Sequence, residues 1–83
     1  MAISTVKLHL RYCSAWNYEP QAVSLTSKII TEFKQQISSF DLEPSRGGCF
    51  ELTVDGQLKY SKLETGEFPE ESSIMDQIRQ LLE

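Results

Sequence analysis

Two thiols and one imidazole, Cys13, Cys49 and His9, are the residues of this 83-residue chain best suited to redox or nucleophilic chemistry. Cys13 closes the alternating run "KLHLRYC", and a helix-like segment begins a few residues later, after Pro20. A cysteine between a strand and a helix sits where unpaired helix N–H groups and the positive end of the helix dipole favour thiolate over thiol. The thiolate is the nucleophile in thiol–disulfide exchange. The motif that follows is Ser14-Ala15-Trp16, so the second thiol of a Cys-x-x-Cys pair is absent and an indole stands in its place. Spacing alone also admits the plainer reading, in which a lone cysteine is an inert small hydrophobe.

Other chemistries find little support. His9 falls on the polar side of the first strand and is read as a solvated or lightly bonded imidazole. Two cysteines and one scattered histidine lack zinc-ligand spacing, and no metal is expected. The carboxylates of "FPEES" suit a loop and a first helical turn. "RGG" has neither the lysine nor the following helix that a phosphate cradle needs. No Ser/His/Asp arrangement is evident.

Composition sets the wider limits. Eighty-three residues make a single domain, 1–83, with one core and no large enclosed cavity. A chain of this size buries roughly 60% of its unfolded surface. The hydrophobic share is 40%, the charged share 24% and the formal net charge −4, as in an ordinary globular protein. The acidic balance argues against nucleic acid or an anionic membrane as partner. Apolar runs of two or three residues cannot span a bilayer. "MAISTVKLHL" lacks the features of a signal peptide, so a cytoplasmic protein is expected, with its cysteines reactive or buried rather than forming a disulfide framework.

The elements that must position the thiols follow from periodicity. Val6, Leu8, Leu10 and Tyr12 alternate with polar residues and predict a strand. Ala22, Leu25, Ile29, Phe33 and Ile37 step by three or four, with Val23 and Ile30 widening the stripe, and predict a helix through "QAVSLTSKIITEFKQQI". A short strand through Phe40 and Leu42 is expected to stop at Pro44. "CFELTVD" and "QLKYSKL" flank Asp55-Gly56, a strong hairpin signal. "ETGEFPEES" is read as a loop, and Ile74, Met75, Ile78, Leu81 and Leu82 as the apolar face of a last helix capped near Ser72. The order β-α-β-β-β-α, with a right-handed parallel crossover first, is the minimal thioredoxin-like α+β plan, a four-stranded mixed sheet with two helices. A ferredoxin-like split βαβ is the alternative fold.

Several motifs in one order carry a family resemblance. "VKLHLRYCSAWNYEPQAVSL", "GGCFELTVDGQLKYSK" and "GEFPE" together resemble the selenoprotein W-like, or Rdx, family over roughly Thr5 to Leu82. The resemblance implies a cytosolic thioredoxin-like thiol oxidoreductase or redox sensor connected with glutathione. It assigns Cys13 the redox role and places Trp16 where the family holds selenocysteine or a second cysteine. Selenocysteine and tryptophan codons differ by one base, so a true substitution, an engineered change and a misread codon all fit position 16. With tryptophan there, the motif retains only one-thiol chemistry: a mixed disulfide with a thiol-containing protein, or glutathionylation. No bound cofactor is expected, with glutathione at most a co-substrate.

Cys49 enters through the fold plan. The third strand should lie antiparallel beside the first, which brings Cys49 towards Cys13 and makes it a candidate second thiol; its orientation, opposite to Phe50, is the geometric obstacle. Trp16 and Tyr18 are expected near the thiol, as a hydrophobic cover or as an exposed docking surface. Gly47 and Gly48 are expected in the facing loop, where glycine either lets a peptide or glutathione backbone approach or simply supplies the two flexible residues that a turn needs. Two functions compete. One is a selenoprotein W-like thiol redox protein centred on an accessible Cys13. The other is a non-catalytic binding module that uses the Trp16/Tyr18 surface.

Overall fold

A computed structural model describes residues 4–83. Its elements are β1 (Val6–Cys13), α1 (Glu19–Phe33), β2 (Ile37–Ser45), β3 (Phe50–Val54), β4 (Gln57–Ser61), the single turn α2 (Lys62–Thr65) and α3 (Glu71–Leu82). The sheet order is β2-β1-β3-β4, with β1 parallel to β2 and antiparallel to β3. This is the expected thioredoxin-like α+β arrangement. The β1-α1-β2 crossover makes β1 a central strand, and the hairpin then extends the sheet on its other side.

Alternation in β1 sends Val6, Leu8 and Leu10 to one face, where each is buried. Phe50, Leu52 and Val54 of β3 join them, and α1 covers this layer with Ala22, Leu25, Ile29 and Phe33. Ile74 and Ile78 of α3 complete the same core. Fully burying one such side chain contributes about 1.5–3 kcal/mol, so this layer is the main source of stability. Lys28 of α1 meets Glu71 of α3 at 2.6 Å, and Arg79 reaches Glu32 at 3.3 Å, which ties the two helices side by side. The polar side chains of β1 occupy the other sheet face, where His9 Nε2 lies 2.8 Å from Glu43 of β2.

Four expectations need correction. Helix α1 stops at Phe33 because Lys34 takes a positive φ of 47°, and Ile37 begins β2 instead of ending the helix. Strand β2 runs on through Pro44 to Ser45, since an edge strand has no ladder partner for the missing N–H on its outer side. Val23 and Ile30 do not widen the buried stripe; both are exposed. Lys62 and Leu63 leave the returning strand for α2.

The reason for α2 is a clasp centred on Glu51. Its carboxylate accepts from the Ser61 hydroxyl at 2.5 Å and from the Lys62 amide at 2.9 Å. Ser61 in turn accepts from the Glu64 amide at 3.2 Å, a cap on the same turn.

Candidate functional site: a buried thiol pair at one end of the sheet

The β1–β3 register pairs Leu8 with Val54 and continues one for one to Tyr12 with Phe50. The next step sets Cys13 opposite Cys49, and the Cys13 amide donates to the Cys49 carbonyl at 2.9 Å. The two thiol-bearing residues are therefore direct cross-strand neighbours, as the fold plan anticipated. Tyr12 and Phe50 both pack with the core, so alternation directs Cys13 and Cys49 together to the opposite side. The orientation that looked like an obstacle for Cys49 alone is shared by its neighbour. Both cysteines are free thiols.

The expectation of an accessible sulfur at Cys13 is overturned. Cys13 is 0% exposed and Cys49 is 2% exposed. Neither belongs to the continuous core beneath the helices. They lie at the end of the sheet, where two loops meet. Ser14–Trp16 form a single 3₁₀ turn, closed by Asn17 in the left-handed region. The Ser14 hydroxyl donates to the Ser45 carbonyl at 3.2 Å, which fastens this turn to β2. The Tyr18 amide donates to the Cys13 carbonyl at 3.1 Å, which folds the chain back over the strand end.

A loop separates Cys13 from the helix, although α1 begins at Glu19, slightly before the expected start after Pro20. Helix α1 is capped at Tyr18, five residues after Cys13, and the Cys13 side chain makes no capping bond to the intervening turn. Arg11, the strand's basic residue nearest the thiol, has its guanidinium 3.8 Å from Glu43 and bonded to the Ser45 hydroxyl at 3.2 Å.

Trp16 is 61% exposed, yet its inner edge lies over Gly48. A Cβ built on Gly48 would stand 2.7 Å from Trp16 Cζ3, closer than real Cβ atoms approach anything. Gly48 also holds φ +76°, a backbone conformation that favours glycine. The indole thus fills the approach that Gly47 and Gly48 were expected to leave for a peptide or glutathione backbone. Gly47, at φ +82°, stays open to solvent. Ala15 is exposed beside Trp16 on the same turn.

Tyr18 behaves differently from Trp16. It is half-buried, and its ring meets Phe68 edge-on at 4.7 Å between centroids. Phe68 continues to Phe50 at 5.2 Å, and Lys62 lies 5.1 Å above the Tyr18 ring. Sequence reading did not assign Phe68 to the site. Its signal was the Phe-Pro of "GEFPE", an aromatic in a loop too polar to need one otherwise.

The Rdx family pattern matches residues 7–80. The chain belongs to the Rdx family. It is 34% identical over 76 residues to migration and invasion enhancer 1 of Bos taurus, covering 89% of this chain and 63% of that protein. The mouse counterpart is 35% identical over 78 residues, covering 92% and 64%. The chain thus spans a little under two thirds of the length of these two relatives. Selenoprotein W of Danio rerio is 31% identical over 80 residues, covering 95% of this chain and 93% of that protein. Among solved structures, a selenoprotein W-related protein from Vibrio cholerae superposes with a TM-score of 0.89 at 24% identity, covering 96% of this chain and all of that one. A protein from Bordetella parapertussis superposes at 0.85 with 20% identity, covering 92% and 96%. The structural likeness establishes the fold, and the family match places Cys13 within an Rdx domain. Among the described residues, no helix is long and apolar enough to cross a membrane, and no cluster of three His, Cys, Asp or Glu side chains is arranged to hold a metal ion.

Proposed function

We propose that this Rdx protein performs gated thiol redox chemistry at Cys13, forming mixed disulfides with glutathione or with a thiol-containing protein. The observation that carries this reading is the placement of Cys13. It is buried outside the main core, at the end of its strand, and runs straight into a three-residue surface turn whose exposed Trp16 lies on Gly48. Opening such a turn is a local event that leaves the helices and the sheet packed, and local openings of this kind cost much less than global unfolding. Thiol–disulfide exchange then requires only that the sulfur reach a partner disulfide in the open state. A cytoplasmic setting, where thiols stay reduced, suits the two free cysteines.

The competing reading, a binding module, draws on Trp16, an exposed large aromatic next to the half-buried Tyr18 at 6.2 Å between centroids. Alkylation kinetics separate the two. The folded protein is treated with iodoacetamide, and modification of Cys13 is followed by peptide mass spectrometry across a urea series below the unfolding transition. A gated thiol reacts through an opening that urea hardly affects. A rate that rises with urea as steeply as the global unfolding constant would remove the redox reading and leave the docking surface as the function.

A further inference from the structure

We infer that Cys49 is the resolving thiol for Cys13, so that this chain runs two-thiol chemistry across adjacent strands where its Cys-x-x-Cys motif is broken. The inference rests on the redox reading of Cys13 and specifies what happens after its first step.

Geometry supports it at three points. First, the 2.9 Å bond from the Cys13 amide to the Cys49 carbonyl holds the two as directly opposed antiparallel neighbours, and such neighbours have Cα atoms about 4.5–5.5 Å apart. A disulfide accepts Cα separations of about 4.4–6.8 Å, so the backbone does not have to move to permit one. Second, both side chains project from the same side of the ladder, since directly opposed residues share a face. Third, both are buried, and neither is part of the packed core beneath the helices. A pair of thiols enclosed together is protected from over-oxidation until the cover opens. Beside them, the indole of Trp16 lies on Gly48, the residue just before Cys49. The residue that replaced the motif's second thiol thus lies against the loop that delivers another.

The reaction balances with a low-molecular-weight disulfide, such as glutathione disulfide, as oxidant. The Cys13 thiolate attacks one sulfur of that disulfide. Its S–S bond breaks, a Cys13–glutathione bond forms, and one glutathione thiolate leaves and takes up a proton. Cys49, as its thiolate, then attacks the Cys13 sulfur. The Cys13–glutathione bond breaks, the Cys13–Cys49 bond forms, and the second glutathione leaves. Two protein thiols lose two electrons, and one small disulfide becomes two thiols.

The test treats the reduced protein with glutathione disulfide, quenches with acid, and maps disulfides by mass spectrometry without reduction. The expected wild-type product is a Cys13–Cys49 linked peptide pair with no glutathione attached. Cys49→Ala is expected to stop at a stable glutathione adduct on Cys13. Stable adducts on Cys13 in both proteins would overturn the resolving role and leave the redox function standing. No reaction in either would overturn both. Mapping the unmodified protein needs no variant, so a Cys49→Ala chain that fails to fold does not rescue the idea.

Discussion

The β1–β3 ladder has two ends, and they are closed in different ways. At the hairpin end, the Asp55 amide donates to the Lys7 carbonyl at 2.8 Å, and the Asp55 carboxylate accepts from the Lys7 amide at 2.8 Å. At the thiol end, the Cys13 amide donates to the Cys49 carbonyl, and the Cys13 carbonyl accepts from the Tyr18 amide. Each end keeps one backbone bond of a pair and replaces the other. The hairpin finds its replacement within its own two-residue turn, with Asp55 at φ 51° and Gly56 at φ 82°. The thiol end takes its replacement from a separate loop and is covered by residues distant in sequence, Trp16 on Gly48. A turn that closes on itself opens only when the ladder opens. A cover brought in from elsewhere can lift by itself, and that is the end that carries the sulfurs.

The largest effect expected from this contrast comes from the core beneath the thiol end. Phe50 is 1% exposed and stands next to Cys49 in sequence, facing the opposite way. Phe50→Ala should cost about 3–5 kcal/mol, the range for a buried aromatic truncated to a methyl. Urea denaturation reads this directly. A loss under about 1.5 kcal/mol, well below that range, would mean that the core does not support the thiol end and that the two ends differ in packing rather than in closure.

A pair of glycines sharpens the comparison. Gly48 and Gly56 hold φ +76° and +82°, one at each end of the ladder. Alanine at either position should cost about 1–2 kcal/mol, because an L residue in the left-handed region meets its own carbonyl. The surroundings differ, since nothing lies within 4 Å of a Cβ at Gly56 while Trp16 blocks one at Gly48. The exposed indole can swing away, so Gly48→Ala should lift the cover and speed alkylation of Cys13 at least several-fold. Gly56→Ala, at a similar loss of stability, should leave alkylation unchanged. Equal acceleration in both variants would show that general loosening exposes the thiol and that Trp16 is no gate.

The same contrast explains what the sequence disclosed. The hairpin end was legible because Asp55-Gly56 is a local signal, read from two adjacent residues. The strand of Val6–Tyr12 and the stripe of Ala22, Leu25, Ile29 and Phe33 were legible for the same reason, as periodicity follows from backbone geometry. The end of α1 was not, because Lys34 adopts a positive φ that its residue type does not announce. The neighbourhood of Cys13 and Cys49 followed from topology. Their burial did not, since no local pattern in the sequence announces how the loops pack at the strand ends. The Glu51 clasp was also invisible: "FELT" read as plain alternation, and only the fold brings its carboxylate to Ser61 and Lys62.

The smallest effect concerns neither end of the ladder and serves as its control. Glu71, in the first turn of α3, is held below the ordinary carboxylate value of 4.5, first by its hydrogen bond to Lys28 and then by that to Ser24. A group whose folded pKa is depressed stabilises the fold fully above its unfolded pKa and loses that contribution as pH falls through the folded one. Lys28 is largely solvated, so solvent screening limits the pair to about 0.5 kcal/mol. Glu71→Gln should therefore lower stability by about that amount at neutral pH, and the gap from wild type should close as pH falls below 4.5. Alkylation of Cys13 should not change, because the Lys28–Glu71 contact joins the two helices and makes no part of the loop cover. Urea titrations of both proteins at neutral and acidic pH check the first outcome, and labelling checks the second. A Glu71→Gln chain with faster labelling would mean that the helix layer takes part in opening the thiol end, and the gate would then extend beyond one turn and one indole.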